Sequence, residues 1–74
     1  MIKEWNISIA KRGGHEKMVL WSKRDGMYKG YGMSGINSED RKSLAALIGW
    51  ASLEYRVQAR DIKIEDSLFD RLID

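Results

Sequence analysis

The hydrophobic pattern of this 74-residue chain changes period once, at Gly35, and that change restricts its fold more than any other feature. Before Gly35, apolar and polar side chains alternate as in half-buried strands, and glycines supply the punctuation because proline is absent. Gly13-Gly14 and Asp25-Gly26 separate three such runs. Asp-Gly is among the strongest two-residue hairpin signals, since both central positions of that turn take φ > 0. The spacing predicts an antiparallel meander. Strand one is expected from Glu4 to Lys11, with Trp5, Ile7 and Ile9 on one face and Asn6 and Ser8 on the other. Strand two is expected from Glu16 to Lys23. Strand three follows from Met27 to Met33, with Met27, Tyr31 and Met33 alternating against Tyr28, Gly30 and Gly32.

After Gly35 the helical period takes over. Asn37 or Ser38 is suited to cap a helix, Glu39 and Asp40 suit the positive end of its dipole, and the run is rich in Leu and Ala, so a helix is expected from Ser38 to Gln58. Alternation returns in Ile62-Lys63-Ile64. Asp66 or Ser67 then caps a last helical turn or two carrying Leu68, Phe69, Leu72 and Ile73. The expected architecture is one α+β domain over residues 1–74, a three-stranded antiparallel meander, one long helix, a short fourth strand and a C-terminal helical turn, in the order βββαβα. A chain of this size buries only about 60% of the surface it exposes when unfolded, which leaves no room for a second domain.

Two segments carry more apolar surface than such a fold readily hides. At 100° per residue, Leu44, Leu47, Ile48, Ala51 and Tyr55 form one stripe of the helix, expected to meet the sheet, while Ala46, Trp50, Leu53 and Val57 form a second stripe almost opposite. Either the segment from Leu68 to Ile73 folds back over Trp50, or another chain covers it. Gly49 on this helix costs up to about 1 kcal/mol relative to Ala, which implies a neighbour close to the backbone. In strand two, Met18 and Leu20 point one way and Val19 and Trp21 the other, so neither face of that strand favours water. One helix cannot cover both faces, so either the sheet curls strongly or a second protein, another copy being one candidate, supplies the missing layer.

Composition excludes several chemistries. Without cysteine there is neither a disulfide framework nor a cysteine zinc site, and with His15 the only histidine a His-rich metal centre is excluded too. His15 in its Gly-Gly-His turn has no nucleophile or acid placed beside it by a known motif and reads as a surface turn residue. The longest apolar run, Met18 to Trp21, is far short of the roughly 20 residues of a membrane span, and charge within Met1 to Ala10 argues against a signal peptide. A soluble, cytoplasmic protein without membrane contact or cofactor is expected. Charge is polarised: up to Gly35 seven Lys and Arg face three acids, and beyond it six face eight. The basic half suits phosphates, although dispersed charge also serves solubility.

Gly30-Tyr31-Gly32-Met33-Ser34-Gly35 lacks the Gly-Lys-Ser/Thr ending of a phosphate loop and reads instead as a bent or bulged strand. Asp61, Glu65, Asp66 and Asp70 suggest a divalent-metal cluster at a strand end, against the simpler role of Asp66 as a helix cap. The order βββαβα, the Gly-Tyr-Gly, the run Arg41 to Ile48 and Ile64-Glu65-Asp66-Ser67 together resemble the first half of a ribonuclease H-like domain. That family cleaves nucleic acid with acids that hold two metal ions. Carried across, one acid corresponds to Asp66, whereas the helix position falls at Ser43 and strand one ends Ile9-Ala10-Lys11 with no acid. The resemblance therefore implies a degenerate, non-catalytic domain, because two-metal chemistry needs several carboxylates.

The expected function is that of a non-enzymatic binding protein: a homodimeric inhibitor or accessory factor of the phage or mobile-element type that occludes a partner protein. Trp50, Leu53 and Val57 of the outer stripe and Trp21, Tyr31 and Met33 of the sheet are the expected contacts. The alternative is a nucleic-acid-binding meander, with Lys11, Arg12, Lys23, Arg24 and Lys29 on phosphates and Tyr28 or Tyr31 stacking on bases.

Overall fold

The structure, a computed structural model, describes residues 4–72. Strands β1 (Trp5–Arg12), β2 (His15–Ser22) and β3 (Gly26–Gly32) form the antiparallel meander, followed by α1 (Asn37–Tyr55), a 3-10 turn (Ala59–Asp61), β4 (Ile62–Ile64) and α2 (Asp66–Leu72). The small α+β class agrees with expectation, while the order gains a 3-10 turn between α1 and β4. The sheet is mixed, in the order β3-β2-β1-β4, because β4 pairs in parallel with β1 after the helical crossover. Ile73, expected in the last helix, lies outside the described residues.

Turn chemistry explains the hairpins. Gly13 and Gly14 have φ of 58° and 81°, as a two-residue turn between the paired Arg12 and His15 requires. The second hairpin is longer than its Asp-Gly signal implies. Ser22 pairs with Gly26, so Lys23, Arg24 and Asp25 all lie in the loop, and only Gly26 takes a positive φ, of 79°. The Asp25 N–H donates to Ser22 Oγ at 3.0 Å and holds the loop closed.

The register of β3 shifts at its bulge, where Leu20 pairs with Lys29 but Trp21 pairs with Met27. Tyr28 is the extra residue. The expected alternation is therefore corrected: Met27 joins the face of Val19, and Tyr28 joins the opposite face, stacked on Trp5 with centroids 4.7 Å apart. An inserted residue reverses the parity of everything beyond it.

Both helices pack on one face of the sheet. Ile7, Met18, Leu20, Leu47, Ala51 and Leu68 are fully removed from solvent there. Helix α1 ends earlier than expected, at Tyr55, because Arg56 turns left-handed (φ 57°) and the Val57 N–H reaches back to the Ala51 carbonyl. That turn moves Val57 off the helix into the core, where it is 8% exposed. Neither Asn37 nor Ser38 caps the start, since the N-cap is Ile36 with no side-chain bond. Asp40, buried at 2% exposure, instead reaches back to the connecting loop and accepts from the Ser34 N–H (3.0 Å), the Ser34 hydroxyl (3.3 Å) and the Gly35 N–H (3.1 Å). A buried carboxylate is tolerated when donors surround it. Gly49 has no close neighbour, as a Cβ there would meet nothing within 4 Å.

Candidate binding surface on the uncovered sheet face

With both helices on one side, strand alternation assigns the other face its residues: Asn6, Ser8, Ala10 and Arg12 from β1, and His15, Lys17, Val19 and Trp21 from β2. Lys63 joins them through its parallel pairing with Asn6. No element of the described residues covers this face, yet Asn6 and Val19 are each only 7% exposed, sheltered by their neighbours in the sheet. Two shallow hollows divide it. One, of ≈ 340 Å³, is lined by Asn6, Ser8, Trp21, Lys23, Lys63 and Glu65, among others. The second, of ≈ 410 Å³ and more apolar, is lined by Ala10, Arg12, His15, Lys17, Val19 and Met27.

Trp21 is held in place. Its indole N–H donates to Ser8 Oγ across the β1–β2 pair at 2.8 Å, which fixes the ring over the polar strand. The cations Arg12, Lys17, Lys23 and Lys63 line the two hollows. Of the two acids at the first hollow, Glu65 is engaged: its carboxylate accepts the Ile9 N–H at 2.8 Å, just beyond the last pairing of β4 with β1. The face is thus a basic surface with one indole at its first hollow.

The residues expected at a site do not assemble as one. Trp21 lies on the open face, whereas Tyr31 and Met33 pack half-buried against the core on the covered side. The outer helix stripe is broken, because Val57 is in the core while Leu53 is 86% exposed. Trp50 is half-buried, edge-on to Tyr55 at 5.6 Å and with Lys29 Nζ 5.5 Å from its ring. It is covered from β3 and its own helix end. Helix α2 instead lies along the other flank of α1, where the Arg41 guanidinium donates to the Leu72 carbonyl at 3.2 Å. Tyr28 is unsuited to stack on a base, since its ring lies against Trp5 and Tyr55 and its hydroxyl donates to the Asp25 carboxylate.

Among the expected phosphate contacts, Arg12 and Lys23 border the open face and Arg24 lies in the adjoining loop. Lys29 is turned to the covered side over Tyr31 and Trp50, and Lys11 sits opposite Glu16 in the β1–β2 register. Lys17 and Lys63 were missed. Lys17 shares the parity of Val19 and Trp21 and was legible from that alone, whereas Lys63 depends on the pairing of β4 with β1.

The remaining polar features are structural. Arg71 of α2 donates to both Glu16 carboxylate oxygens, at 2.8 and 2.9 Å, tying α2 to β2. The hydrogen bond from Arg71 holds the Glu16 carboxyl below its usual range. Asp61, Glu65, Asp66 and Asp70 do not converge, and no group of three metal-ligating side chains forms among the described residues. Ser43, at the helix position where the family places an acid, donates to the Glu39 carbonyl at 3.3 Å. No helix of the described residues is long and apolar enough to cross a membrane. In comparison with known proteins, the chain matches no family model, no curated protein and no solved structure.

Proposed function

We propose that this chain is a non-enzymatic binding domain that works through the open face of its sheet, and that its ligand is a single-stranded nucleic acid. The observation that carries this reading is the indole of Trp21 on an uncovered face whose hollows are lined by Arg12, Lys17, Lys23 and Lys63. Lysine and arginine gain affinity by releasing counterions from phosphates, and an aromatic face accepts any base. Gly32 leaves open space beside the strands, since a Cβ there would touch nothing within 4 Å.

The non-catalytic assignment rests on the donor set. Asp66 stands without the other acids of a ribonuclease H-like centre, and Lys11 sits near the end of β1. A degenerate half of that fold is the architecture we propose, supported by the element order and the short motifs.

Occlusion of a partner protein, as an inhibitor or accessory factor, is the second reading. Val19 and Met27 favour it, because they add apolar area that phosphates do not need.

Titration of a labelled single-stranded 12-mer, followed by fluorescence anisotropy, tests the choice. Engagement of all four cations gives a log–log salt slope of about −2.8, and Trp21→Ala weakens binding roughly tenfold or more with the circular-dichroism spectrum preserved. Absent or salt-insensitive binding overturns the nucleic-acid reading.

A further inference from the structure

The two borders of the sheet are finished differently. On one side β4 contributes only Ile62–Ile64, and Glu65 then occupies the next position of the β1 ladder through its own N–H to the Ile7 carbonyl and its carboxylate to the Ile9 N–H. On the other side β3 presents its full outer edge, and no strand of the described residues pairs with it. Natural edges are blunted by proline, charge or a bulge. Here the bulge protects only the Tyr28 end, leaving a straight run from Lys29 to Gly32.

The direction of the free groups follows from the ladder. The Met33 N–H bonds to the Glu16 carbonyl, so in the antiparallel alternation Tyr31 also bonds inward to β2 while Gly30 and Gly32 direct their N–H and C=O outward. The exposed hydrogen-bonding groups therefore belong to two glycines placed symmetrically about Tyr31.

Helix α1 supplies a second, independent observation. Trp50 lies on its β3 flank, over Lys29, and at 100° per residue Ala46 and Leu53 continue that flank outward. Leu53 is 86% exposed, and Ala46 is exposed as well. The unpaired edge and the unfinished helix stripe thus lie on the same side of the molecule.

We infer that this side is the interface of a homodimer, in which β3 pairs antiparallel with β3 of a second copy about a two-fold axis at Tyr31. Gly30 of one copy and Gly32 of the other exchange both hydrogen bonds, and the symmetry repeats the exchange. The same axis sets the two α1 helices side by side and antiparallel, bringing Ala46, Trp50 and Leu53 of each together. Lys42 and Glu54 flank the stripe towards its two ends, so antiparallel helices bring opposite charges into register. The open sheet face is a poorer choice for a second copy, because its cations would meet their own kind.

Sedimentation velocity across a concentration series tests the inference on the full chain, whose monomer mass is 8.5 kDa. A concentration-dependent shift to twice that mass is expected. Gly32→Pro removes an outward N–H that the monomer's ladder does not use, and Leu53→Lys alters a side chain outside the core; each should raise the dimer Kd roughly tenfold or more. A chain that stays monomeric at high micromolar concentration overturns the inference. So does a dimer that both variants leave intact. If Gly32→Pro fails to fold by circular dichroism, Leu53→Lys alone decides.

Discussion

On the helix-covered face of the sheet, Ile7, Met18 and Leu20 are fully buried, while on the other face the same strands present Ser8, Lys17 and Trp21 with no layer of the described residues above them. The covered face is held by area removed from water, at about 25 cal/mol per Å² of apolar surface. The open face is organised by position, through the Trp21–Ser8 bond and the spacing of its cations. Removing apolar atoms from the first should damage folding, and changes on the second should spare the fold and alter binding.

The largest effect expected is that of Leu20→Ala. It leaves a cavity at a site with no solvent exposure and should cost about 2–5 kcal/mol in urea denaturation. A loss below 1 kcal/mol would mean that the covered face is not the stabilising layer. On the open face, the double change Lys17→Gln and Lys63→Gln should leave the unfolding midpoint nearly unchanged while reducing the salt slope of single-strand binding by about 1.4. An unchanged slope would remove these lysines from the site.

A smaller effect tests the helix between the two apolar flanks. Gly49→Ala has open space for its Cβ and should raise stability by about 0.8–1 kcal/mol, read from the thermal midpoint. The smallest effect concerns the partly exposed Arg71–Glu16 pair. Because Arg71 lowers the Glu16 pKa in the folded state, its stabilisation is complete above the unfolded carboxylate pKa and disappears as pH falls through the folded one. Arg71→Met should therefore lower stability slightly at neutral pH and not at all below the folded Glu16 pKa, so that the variant's pH profile is flatter across that acidic window.

Much of the fold was legible because its signals are local. Gly13-Gly14 dictates a tight turn, Met18 to Trp21 marks an internal strand, and the change of period after Gly35 marks the helix. What escaped depends on partners distant in sequence or on rare backbone states. The Tyr28 bulge exists only relative to the register of β2, and it moves Tyr28 and Met27 to faces opposite those that alternation assigns. Arg56 adopts a left-handed conformation that usually selects glycine, so nothing in its identity announces that the helix stops there and releases Val57 into the core. Asp40 resembles any first-turn acid until Ser34 and Gly35 fold back on it. Trp21 and Lys17 share one strand parity that is readable from the chain, but Lys63 reaches their face only through the pairing of β4 with β1.

The Glu65 carboxylate on the Ile9 amide has a consequence for how this protein behaves when crowded. Strands add to strands without limit when both borders of a sheet accept newcomers, which is the route to fibrils. Here the Glu65 carboxylate occupies the β1 amide just beyond the three-residue β4, which shortens what that border offers a newcomer. In the proposed dimer, joining at the β3 border would consume it in both participants, so growth there would stop at two.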